Sequence, residues 1–150
     1  MFGKKFTDYI RFEGWILSAV VAVFVIRLGL SFAGIPTSAV RWVSINLVLL
    51  VGLLYFSVAV HTTGFGSYKQ LFGLLLIQNA VAHFLIALAL TFAVITATDN
   101  IYTAPEFFAG TSGRNMGHVA AHLIAAFVVP VFAWVIGSAI LFATKKLVRT

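Results

Sequence analysis

Residues 71–97 read LFGLLLIQNAVAHFLIALALTFAVITA, twenty-seven positions without one Asp, Glu, Lys or Arg. A helix of that length rises ~40 Å at ~1.5 Å per residue, enough to cross a hydrocarbon core of ~30 Å. A run this long and this apolar reads as a membrane-spanning helix. Its interruptions are two amides and an imidazole, Gln78, Asn79 and His83, and none of them is a permanent charge.

The pattern repeats outward from this run. Trp15–Ala33 and residues 43–61 precede it, and residues 117–144 follow it, with Pro130 placed to kink the last span. Four spans (15–33, 43–61, 71–97 and 117–144) fill 150 residues and leave short connections. The whole composition agrees. The chain is 61% hydrophobic and 9% charged, with four acids and ten bases, whereas a soluble domain carries roughly 25% charged residues. Disordered chains are poor in aromatic and branched apolar residues, so disorder is excluded too. The expected fold class is an all-α integral membrane protein of one domain. Its form is an antiparallel four-transmembrane-helix bundle with a short amphipathic N-terminal helix and one longer external loop at 98–116. No internal repeat is evident, so an inverted-repeat transporter is not indicated.

The charges supply topology. Lys4, Lys5 and Arg11 precede the first span, Lys69 lies in a middle connection, and Lys145, Lys146 and Arg149 follow the last. The positive-inside rule puts these segments, and with them both termini, in the cytoplasm of an inner-membrane protein. Topology accounts for the net charge of +6, which removes the case for nucleic acid. The first apolar run is longer than a signal-peptide core, and Ile35-Pro36-Thr37 is not a small-residue cleavage site, so no cleaved leader is expected. With no cysteine, thiolate metal sites and cysteine catalysis are excluded.

Residues 1–13 alternate Phe2, Phe6, Ile10 and Phe12 with charges and read as a helix lying on the membrane surface. Gly34–Thr37 forms an external turn, and His61–Gln70 a Gly- and Thr-rich cytoplasmic loop whose GxG is flexible backbone and not a phosphate cradle. In the external loop, Thr103-Ala104-Pro105-Glu106 matches a capping box, which predicts a short helix through Phe107 and Phe108.

Ionisable groups inside spans face the bundle and mark a pathway or a bound group. Arg27 lies twelve residues beyond Trp15, hence ~18 Å deep, and His83 thirteen beyond Gln70, hence ~20 Å. His122, five residues past Gly117, and Asn46, four past Trp42, fall in the same outer half. Asn79 shares a face with His83, and His118 with His122. The spans hold no acid, so Arg27 must be satisfied by helix carbonyls, by a lipid phosphate, by Asp99 or Glu106 from the loop, by an anionic ligand, or by snorkelling outward.

The candidate cofactor-binding set is therefore His83, His122, Arg27, Asn46 and Asn79. Two imidazoles at one depth are what bis-histidine haem b ligation requires, and single histidines serve a pigment's metal or a quinone carbonyl. His118 and His122 form a weaker metal pair that lacks the glutamate of HExxH. Three functions follow. The first is a subunit or binding scaffold of a larger membrane assembly, holding a lipophilic cofactor. The second is an oligomeric channel or transporter for an anion or small solute. The third is an enzyme on a lipidic substrate at the outer interface, drawing on His118, His122, Asp99 and Glu106. Partners are the bilayer and other subunits, or further copies of the chain.

Overall fold

The computed structural model describes residues 1–105 and 113–148. Their regular structure is helical throughout: α1 Phe6–Phe32, a four-residue α2 Thr37–Val40, α3 Ile45–Thr62, α4 Tyr68–Thr96 and α5 Met116–Leu147. Four segments are long and apolar enough to cross a membrane: Phe6–Phe32, Thr37–Thr62, Tyr68–Thr96 and Met116–Leu147.

The helix ends follow local chemistry. Ser67 and Gln70 form a capping box at α4, with the Ser67 amide donating to Gln70 Oε1 at 2.9 Å. Asn115 caps α5 by accepting the His118 amide at 3.0 Å. Gly34, at φ +75°, turns the chain out of α1, a conformation that costs glycine nothing.

The amphipathic helix expected ahead of span one is not a separate element. α1 begins at Phe6 and runs unbroken to Phe32. No proline interrupts it, and Asp8 accepts the Lys5 amide at 2.9 Å, so the helix starts two turns earlier than the apolar run does. Glu13 is thereby carried into the bundle, fully buried beside Tyr9, Ile16 and Val20 on the inner stripe of α1.

α4 is the central helix, packed against α1, α3 and α5. Its buried residues include Leu71, Leu74, Leu75, Ile86 and Leu90. Large apolar side chains such as Leu88, Ile95, Phe132 and Val135 are exposed on the outside of the bundle, as suits helices long and apolar enough to cross a membrane, where lipid tails would be as apolar as leucine. Helix association in that setting rests on close packing and interhelical polar contacts. Gly137 provides one close approach: a Cβ there would lie 2.7 Å from Ser57 Oγ and 3.0 Å from Leu53 Cδ1. The α5 half that follows Pro130 is tied down further, by Trp134 Nε1 donating to the Tyr68 carbonyl at 2.8 Å and Lys145 Nζ to Ser67 Oγ at 2.6 Å. At the same end of the bundle His61 Nε2 meets the Val148 carbonyl at 3.0 Å, which gives that histidine a structural contact.

Candidate functional site

The opposite end of the bundle opens into a cavity of about 360 Å³. Arg27 of α1, Asn46 of α3, His83 of α4 and His122 of α5 all line it, together with Arg41, Ser44 and Tyr102. Four of the five sequence-selected cofactor residues thus meet at one place. Asn79 does not. Its Nδ2 donates to the Leu75 carbonyl of its own helix at 2.8 Å, and it is buried one turn further from the cavity.

His83 and His122 are joined Nδ1 to Nδ1 at 2.9 Å, with ring centroids 5.2 Å apart and planes at 41°. One ring donates and the other accepts, so the pair is stable only while at least one imidazole is neutral. Bis-histidine haem ligation needs iron and macrocycle between the two ligating rings. Rings already in hydrogen-bond contact leave no space for a porphyrin, so the pair as placed does not fit haem b.

Arg27 sits over the Tyr102 ring at 5.3 Å, a cation–π contact worth ~0.5–2 kcal/mol. Its Nε is buried and has no hydrogen-bond partner among the described residues, and the same holds for the Tyr102 hydroxyl. Of the loop acids considered for Arg27, Asp99 instead lies 3.6 Å from Arg114 and accepts from Thr103 Oγ1 at 3.1 Å. Glu106, and the helix expected through Phe107 and Phe108, lie outside the described residues.

Tyr102 reaches the cavity because the segment after α4 folds back over the bundle. Asn100 Nδ2 donates to the Ala89 carbonyl at 3.0 Å, and Asn100 Oδ1 accepts the Tyr102 amide at 2.9 Å. The ring then stacks on Phe24 at 5.7 Å. Burial pushes the Tyr102 phenol up to about 12, with Arg27 pulling the other way, so the hydroxyl keeps its proton at neutral pH. Tyr102, Arg41 and Ser44 escaped the sequence reading. Arg41 stands at the start of the second span, where a base reads as an external charge, and nothing in the local pattern of Tyr102 announces that its loop turns inward.

The cavity wall is therefore cationic and rich in donors, with two arginines, a phenol, a serine, an amide and an imidazole pair, and no acid among the described residues that line it. Such a wall complements a head group that presents acceptor oxygens. A metal is poorly matched to it. Among the described residues no three His, Asp or Glu groups converge, and His118 Nδ1 of the weaker metal pair is engaged with the Gly113 carbonyl at 2.9 Å while His122 faces His83. Compared with known proteins, the chain matches no family model, no curated sequence and no solved structure.

Proposed function

We propose that the protein is a membrane-embedded binding scaffold, a small subunit of an inner-membrane assembly, whose pocket holds the head group of a lipophilic quinone. The four long helices run antiparallel in this reading, with both termini cytoplasmic and the pocket in the outer half. The observation that carries it is the pair of donors at the cavity wall, Arg27 Nε and the Tyr102 hydroxyl, both buried without an acceptor among the described residues. Buried polar groups without partners are costly, and a ligand carbonyl would satisfy them. The imidazole pair would lie across the cavity as a group able to take or give a proton to the same head group. A cavity of about 360 Å³ falls within the usual size range of small-molecule sites.

Two measurements test this. Organic extracts of gently purified protein should contain quinone, identified by mass spectrometry. Added short-chain quinone should quench Trp42, whose ring lies 5.1 Å from the Arg41 guanidinium at the pocket wall, and the quenching should disappear in Trp42→Phe. Folded protein that carries no quinone and shows no saturable quenching would rule the reading out.

A second reading is an oligomeric anion channel, favoured by Arg27 and Arg41 lining one cavity with no acid among its described lining residues. Anion flux into liposomes that persists unchanged in Arg27→Gln would exclude it.

A further inference from the structure

Glu13 is the most anomalous side chain outside the pocket. It is fully buried, and both of its carboxyl oxygens lack a hydrogen-bond partner among the described residues. Among the described residues no cation reaches it. On its own helix Asp8 caps the Lys5 amide, Tyr9 donates to the Met1 carbonyl at 3.1 Å, and Arg11 is exposed. Lys4 lies over the Phe65 ring at 4.8 Å. On α3, Tyr55 packs edge-on against Trp15 and His61 is bonded to the Val148 carbonyl. On α4, Lys69 is exposed, Tyr68 lies under Lys145, and His83 is bonded to His122. α2 contributes no titratable group.

A carboxylate without a cation or a donor is not sustained in an apolar interior, where an isolated charge neutralises by taking up a proton. We infer that Glu13 is a proton-binding site inside the bundle, reached from the N-terminal end past a seal formed by residues 1 and 2. Glu13 lies one turn, ~6 Å, beyond Tyr9 along α1. Tyr9 and Met1 close on Gly73 so tightly that a Cβ there would fall 2.6 Å from Met1 Cε and 2.6 Å from Tyr9 Cε1. Gln70 Nε2 donates to the Phe2 carbonyl at 2.6 Å, and the Phe2 ring meets Phe72 edge-on. These contacts stand between Glu13 and the water at that end. The site is separate from the pocket and does not depend on what the pocket binds.

A hydrophobic carbodiimide tests the protonation. It reacts with a protonated carboxyl: the acid oxygen bonds to the central carbon, the acid proton moves to a carbodiimide nitrogen, and the adduct rearranges to a stable N-acylurea with no leaving group. Dicyclohexylcarbodiimide added to the intact protein in liposomes should modify Glu13 at neutral pH, located by peptide mass spectrometry. The exposed acids Asp8 and Asp99 should stay unmodified. Modification should fall as pH is raised, and Glu13→Gln should abolish it. The same variant should remove a protonated-carboxyl infrared band that shifts in deuterated water. Gln70→Ala, which removes one hydrogen bond of the seal, should speed modification about 2–10-fold. An unmodified Glu13 in folded protein without that infrared band overturns the site. Modification at equal rate by a charged, water-soluble carbodiimide overturns its burial. A rate unmoved by Gln70→Ala overturns the route.

Discussion

The His83–His122 contact is open to a double-mutant cycle. Replacing His83 with Phe removes one end of a 2.9 Å Nδ1–Nδ1 bond and leaves the His122 nitrogen facing a ring edge. Replacing His122 with Phe does the converse, and the double variant leaves neither nitrogen behind. Interhelical hydrogen bonds between membrane helices are worth ~0.6–1.7 kcal/mol, and an abandoned buried partner adds to the cost of each single change. Each single variant should therefore lose about 1–2 kcal/mol of stability, and the double should lose about 1 kcal/mol less than the sum of the two. Unfolding titrations in mixed detergent micelles, read by circular dichroism for the wild type and three variants, provide the coupling. Additivity within about 0.3 kcal/mol would refute the bond, because independent sites add to that tolerance. A Phe at either position also keeps an aromatic ring of similar width in place, so packing loss is kept small beside the polar term.

Other changes probe the pocket and the packing. Arg27→Gln should weaken quinone binding about 10–100-fold, the scale of losing one hydrogen bond from a charged donor, as measured by Trp42 quenching. Tyr102→Phe should raise the stability of ligand-free protein by about 1 kcal/mol, since it deletes a buried hydroxyl that has no partner among the described residues. The same change should weaken ligand binding, and a loss of stability with no change in binding would count against the donor role. Gly137→Ala should cost about 1–3 kcal/mol by overpacking against Ser57 Oγ, which is held by its 2.6 Å bond to the Leu53 carbonyl. Adding Ser57→Ala should recover most of that loss in the same unfolding assay. Gly52→Ala should displace Gln78, whose Oε1 would clash with the new Cβ, and break its 3.3 Å bond to the Leu49 carbonyl. A lowered unfolding midpoint would register it.

The long apolar runs made the four helices readable from the sequence, because length and the lack of charge suffice to identify a spanning segment. Depth counting from Trp15, Gln70 and Gly117 placed Arg27, His83 and His122 in one layer, and the structure brings them to one cavity. Helical rise is a fixed quantity, and depth follows from it. Asn79 shares the face of His83 but lies one turn, ~6 Å, away along α4 and outside the cavity, where its Nδ2 turns back to the Leu75 carbonyl of its own helix. The alternation of apolar and charged residues over 1–13 points Glu13 to the membrane surface. Its own position is set by the register of α1, in which Tyr9, Glu13, Ile16 and Val20 form the inner stripe. Tyr102 depends on a loop held by Asn100 against the Ala89 carbonyl, a contact between positions eleven apart that no local periodicity encodes.

Pro130 divides α5 into two parts of different mechanical character. It has no N–H to give the Ala126 carbonyl, so the backbone ladder is interrupted there. The later half is anchored at Trp134, Gly137 and Lys145, while the earlier half carries His122 to the pocket. Eight residues, ~12 Å of helix, separate Pro130 from His122. A change of bend of ~20° swings the end of that stretch by ~4 Å. A bend of that size at Pro130 would therefore move His122 by more than the 2.9 Å spanned by the imidazole pair, which makes the geometry of the His83–His122 contact sensitive to the course of α5.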